Sequence, residues 1–186
     1  MSDGPEAAQR SLQEIGGLTA TTRRASRALS TGLPLVGRGI AWTIGLAALD
    51  LLDGPWRIAV VAVAWVLGMT LSWVPARPIR TGIETRLRWG WGIVLCASPF
   101  LVAAAQPATL THAVLLVGSI WGLAMCLYGV ATGDRAFAAV AGFGVVIAGT
   151  VALLELPHPL LWYGFAAGVT LLGLGVRRIM PEASRA

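Results

Sequence analysis

Six apolar segments, each close to the roughly 17–25 residues that carry a helix across a bilayer, leave this chain little choice of architecture. They run Leu33–Leu52, Ile58–Val74, Trp89–Ala105, Ala113–Ala131, Ala136–Leu154 and Leu160–Val176. Between them stand Asp53-Gly54-Pro55, a loop with Pro75 and Pro78, Gln106-Pro107, Thr132-Gly133-Asp134 and Pro157-His158-Pro159, residues that punctuate regular structure. The pattern predicts an all-α polytopic membrane protein, a six-transmembrane-helix bundle with short loops. Connections this short make consecutive helices antiparallel neighbours. The expected division is a polar cytoplasmic tail over 1–32, a membrane domain over 33–176 and a cytoplasmic C-terminal tail over 177–186.

Composition agrees. Hydrophobic residues make up 56% of the 186 and charged ones only 12%, against about 25% charged in a soluble domain. No polar stretch outside the spans exceeds the N-terminal tail, so any chemistry belongs in or beside the bilayer. The first apolar run begins only near Leu33, after an arginine-bearing tail, so no cleavable signal peptide is expected.

All fourteen basic side chains are Arg, and six spans place thirteen of them on one side. These are Arg10, Arg23, Arg24, Arg27 and Arg38, then Arg77, Arg80, Arg86 and Arg88, then Arg135, then Arg177, Arg178 and Arg185. Only Arg57 falls opposite. Positive loops resist translocation, so the cell (inner or plasma) membrane with both termini cytoplasmic is the expected location and orientation. The first span holds Arg38, and snorkelling of its side chain to the interface would let the segment cross. The scattered charge argues against a nucleic-acid partner. Trp73, Trp89, Trp91 and Tyr128 near one end of the spans, and Trp56, Trp162 and Tyr163 near the other, fit interfacial aromatic belts. Trp42, Trp65 and Trp121 fall mid-span, where packing between helices is the first reading and ligand stacking the second.

In the tail, Asp3 and Glu6 have capping-box spacing, so a short helix is expected there, with Gly16-Gly17 interrupting it. Arg23, Arg24 and Arg27 lie where anionic headgroups are, each contributing about 1 kcal/mol of attraction. Lipid contact and docking of a partner are both open for them.

Five titratable side chains share the side opposite most arginines: Asp50, Asp53, His112, Glu155 and His158. If they converged they could bind a divalent metal or relay protons; otherwise they are solvated loop residues. Pro157 and Pro159 prevent Glu155 and His158 from sharing one continuous helical face. Mid-span polar groups are confined to Ser, Thr and Cys, including Thr43, Ser98, Ser119 and Thr150. Ion-coupled carriers usually keep a buried ionisable group, which lowers that class but leaves transport of a neutral or apolar solute open. Cys96 and Cys126 form no CxxC pair, and no hydrolase or lipid-phosphate transferase motif is present. Neither an enzyme nor a cofactor is expected.

Glycine recurs at packing intervals: Gly118-x-x-x-Gly122, Gly164-x-x-x-Gly168, and Gly142 with Gly144 and Gly149. Small residues let helices approach closely, within the bundle or in a homo-oligomer or complex with another membrane protein.

Three hairpins, entered near Arg38, Arg88 and Arg135, bent near Pro55, Pro107 and Pro157 and carrying Gly68, Gly122 and Gly168 on return, resemble the HdeD-type six-helix membrane proteins. That family is implicated in acid resistance, but it lacks the long tail. Ser11-Leu12-Gln13-Glu14-Ile15 followed by Thr22-Arg23-Arg24 is similar to the tail of uncharacterised small actinobacterial multi-spanning membrane proteins. Neither resemblance supplies functional residues. The leading expectation is a non-enzymatic accessory, regulatory or structural bundle acting through helix contacts. The alternative is a small transporter or solute-binding component with a polar cavity lined by Thr43, Ser98, Ser119 and Thr150.

Overall fold

The computed structural model describes residues 32–73 and 83–180, together with Gln9, Glu14, Gly16 and Gly17. Among the residues from 32 on that are described, the helices in order are α1 Leu33–Leu51, α2 Pro55–Trp73, α3 Ile83–Ala105, α4 Leu110–Ala131, α5 Arg135–Leu154 and α6 Pro159–Ile179. Every regular element among the described residues is helical. Four helices are long and apolar enough to cross a membrane, namely α2 over Pro55–Ser72, then α4, α5 and α6. The protein is therefore membrane-embedded by length and composition. α1 carries Arg38 and Asp50, and the apolar part of α3 is the shorter Trp89–Ala105. Gly16 and Gly17 are helical rather than a break, since glycine disfavours a helix by only about 1 kcal/mol relative to Ala. Asp3, Glu6, Arg23, Arg24 and Arg27 lie outside the described residues.

Each boundary has a local cause. Pro34 sits in the first turn of α1 and Pro159 in that of α6, where a missing N–H costs nothing. Thr109 caps α4 by accepting from His112 N, and Asp134 caps α5 by accepting from Phe137 N. Gly54 and Gly133 turn the chain with φ of 69° and 70°, the left-handed region open to glycine.

α1 is the organising helix. Its most extensive contacts are with α6 and α2, while α5 lies between α4 and α6 and α3 rests on α4. Two edges of small residues allow this. Facing α6, a Cβ on Gly39 would lie 2.7 Å from the Gly168 carbonyl oxygen, and one on Gly175 would lie 2.8 Å from that of Gly32. Facing α2, a Cβ on Gly37 would meet the Gly68 carbonyl oxygen at 2.6 Å. The pairings 32 with 175 and 39 with 168 run in opposite senses, so the seam is antiparallel. Backbones this close leave no room for any side chain at the crossing.

The glycines singled out from sequence divide. Gly118 faces Tyr163, Gly122 faces Val145 and Ala141 on α5, Gly164 faces Leu46 and Trp42, and Gly168 faces Thr43 and Gly39. Gly142 makes only an ordinary contact with Cys126, and Gly149 faces open space. Gly37 and Gly39 are close-contact positions outside those sequence intervals.

Candidate functional site

The five acids and histidines do not form a metal site: among the described residues no three His, Cys, Asp or Glu side chains gather where an ion could be held. Each has a structural role or none. Asp50 Oδ2 accepts from Leu161 N at 3.0 Å and so caps α6 from a different helix. Asp53 is paired with Arg57 at 3.0 Å, and His112 Nδ1 lies 2.7 Å from Thr109 Oγ1. Glu155 and His158 occupy left-handed turn positions with φ of 47° and 55°, which ends α5 before α6 begins.

The hydroxyls expected to line a polar cavity are engaged elsewhere. Ser98, Ser119 and Thr150 donate to Val94 O, Leu115 O and Val146 O, one turn back on their own helices. Thr43 reaches Gly164 O at 3.4 Å across the α1–α6 seam. A hydroxyl in an apolar bundle satisfies itself on the nearest carbonyl, which removes it from any cavity lining.

An apolar cavity of about 320 Å³ lies instead in the half of the bundle nearest the 52–54 turn. Its walls come from Ala41, Trp42, Leu46 and Leu49 of α1, Trp65 of α2, Val102 of α3, Leu110, Ala113, Val114, Val117, Gly118 and Trp121 of α4, and Tyr163 of α6. All three tryptophans that the sequence places mid-span therefore line one space. Trp65 meets Trp121 edge to face at 5.5 Å between centroids, and Trp42 tilts against Tyr163 at 5.5 Å. Both separations suit the attraction of a ring edge to a ring face. Trp121 is further fixed by donating Nε1–H to Ser98 Oγ at 3.0 Å. Tyr163 is not a belt residue: it is 1% exposed, and its hydroxyl is buried without a hydrogen-bond partner.

Arg38 does not snorkel free of the bundle. Its Nη1 donates to Met125 Sδ at 3.4 Å, and the guanidinium carbon stands 4.8 Å from the centroid of Trp91. A thioether is a weak acceptor, and a ring face offers attraction without a lone pair. Among the described residues Arg38 has no carboxylate partner; the two ion pairs join Arg57 to Asp53 and Arg178 to Asp134.

Searches against protein-family models, curated proteins and solved structures find no match to this chain.

Proposed function

We propose that the protein is a six-span membrane protein, both termini cytoplasmic, that binds a largely apolar molecule in the cavity between α1, α2, α3, α4 and α6. The observation that carries this reading is the cavity itself. An apolar space of about 320 Å³ falls near the lower end of the roughly 300–1,000 Å³ of small-molecule sites. The space is open on one side, and its aromatic walls from four elements suit a ring or chain better than water. The cavity takes walls from α1 and α3 as well as from three of the four more apolar helices, which supports a span for those two as well. The accessory-bundle reading draws less support, because Gly118, Gly122, Gly164 and Gly168 are used up in contacts within the chain.

Binding is tested with the full-length protein in phosphatidylcholine nanodiscs and 1-aminoanthracene, read by energy transfer from tryptophan. Saturable transfer that Ala113→Leu abolishes, by filling the cavity, is the expected result. Transfer that does not saturate, or that Ala113→Leu leaves intact, overturns the reading. Orientation is tested separately in a variant lacking Cys96 and Cys126: a membrane-impermeant maleimide should label Asp53→Cys on intact cells and Thr132→Cys only after lysis.

A further inference from the structure

Resting on the reading of the cavity as a binding site, we infer that Arg38 and the cavity form a single site for an amphiphilic anion, with one hydrocarbon chain in the cavity and its negative headgroup on the guanidinium. Arg38, Trp42, Leu46 and Leu49 recur at intervals of three and four along α1 and so share one face of that helix. The last three line the cavity. Arg38 thus stands one turn from its wall, about 6 Å along the axis from Trp42. α4 repeats the arrangement, since Trp121 lines the cavity and Met125, four residues on, touches Arg38. Trp91 of α3 closes the far side of the guanidinium.

Charge and polarity complete the argument. A guanidinium carries five N–H donors in a planar fork suited to a carboxylate or phosphate. Here the described neighbours are one thioether, one indole face and the Tyr128 phenol, none of them a carboxylate. An arginine within a membrane bundle is costly unless an anion or carbonyl groups compensate it. Met125 Sδ can be displaced by an incoming anion without stranding a strong acceptor. The cavity beyond is lined by aliphatic and aromatic side chains with no charged group, so it suits a hydrocarbon tail. A bilayer amphiphile with its head at the Gly32 end and its tail toward the 52–54 turn has the matching polarity.

The test compares dodecanoate, monododecyl phosphate and dodecanol, one chain with three headgroups, on full-length protein in phosphatidylcholine nanodiscs, read by displacement of 1-aminoanthracene. At least one anion should bind roughly tenfold or more tighter than dodecanol, the scale of a charge-assisted hydrogen bond. The stronger of the two anions identifies the source, a free carboxylate or a lipid phosphate. Arg38→Gln should bring that anion down to the level of dodecanol while dodecanol itself is unchanged, and Arg38→Lys should keep part of the preference. Dodecanol binding as well as both anions, or an anion preference that survives in Arg38→Gln, overturns the inference and leaves the apolar site standing. If none of the three displaces the fluorophore and the fluorophore itself does not saturate, both readings fall.

Discussion

The ring of Tyr163 occupies the space a side chain on residue 118 would need. A Cβ on Gly118 would lie 2.7 Å from Tyr163 Cε1 and 2.8 Å from Cζ, inside any real carbon–carbon contact. Glycine at 118 is what admits the ring of α6 to the wall of α4, and the tyrosine in turn helps to shape the cavity. Gly118→Ala is therefore expected to lower stability by about 1–3 kcal/mol, the usual cost of overpacking. Gly149→Ala, where nothing lies within 4 Å of the added carbon, should be neutral or stabilising by about 0.5–1 kcal/mol. Thermal unfolding in mild detergent measures both, and equal effects would mean that Gly118 is not a close-contact position.

The hydroxyl of the same tyrosine is buried without a partner. Tyr163→Phe keeps the ring and removes only that group, so stability is expected to hold or to rise by about 1 kcal/mol. A clear loss in the same unfolding assay would show that the hydroxyl is bonded in the membrane.

Asp50 and Asp53 are three residues apart and have unlike tasks. Asp50 holds the first turn of α6 through Leu161 N, whereas Asp53 is 99% exposed and pairs only with Arg57. Asp50→Ala should cost about 1 kcal/mol, as loss of a helix cap does. Asp53→Ala should cost about 0–1 kcal/mol, in the range of an exposed ion pair. Denaturant midpoints of the two variants separate the roles, and addition of a divalent metal should shift neither midpoint.

At the opposite end Asp134 acts twice. Oδ1 accepts from Phe137 N at 3.1 Å to cap α5, and Oδ2 accepts from Arg178 Nη2 at 2.6 Å to tie α6 to the α4–α5 turn. Arg178 also lies 5.9 Å from the ring centroid of Phe137. Asp134→Asn keeps a capping oxygen and weakens the ion pair; Asp134→Ala removes both. The alanine variant is expected to be less stable than the asparagine variant by about 1 kcal/mol. Combination with Arg178→Met in a double-mutant cycle isolates the ion pair, and equal losses for Asn and Ala would show that the cap contributes nothing.

The helices were legible because their signals are local. Runs such as Ala136–Leu154, bounded by Asp134 and by Pro157, identify a span without knowledge of any neighbour, and α5 over Arg135–Leu154 differs from it by one residue. Gly118, Gly164 and Gly168 were legible as packing residues because three- and four-residue spacing defines a helix face. Gly149 had the same composition signal and faces open space, since spacing gives a face but not what lies opposite it.

The apolar cavity was not legible for the same reason. Ser98 and Ser119 bond the carbonyl one turn back, the ordinary fate of a mid-span hydroxyl, and a polar cavity was only the alternative for them. The tryptophans at 42, 65 and 121 were visible as mid-span residues, yet their convergence depends on α1 standing between α2 and α6. From sequence alone came the helical class, the membrane-length apolar segments and the turns between them, all set by hydropathy and backbone chemistry within a few residues. Tertiary structure alone decided that Arg38 faces Trp91 and Met125, that Asp50 caps α6, and that three distant tryptophans line one cavity. Those outcomes depend on which glycines let which helices touch, a choice made across more than a hundred residues of chain.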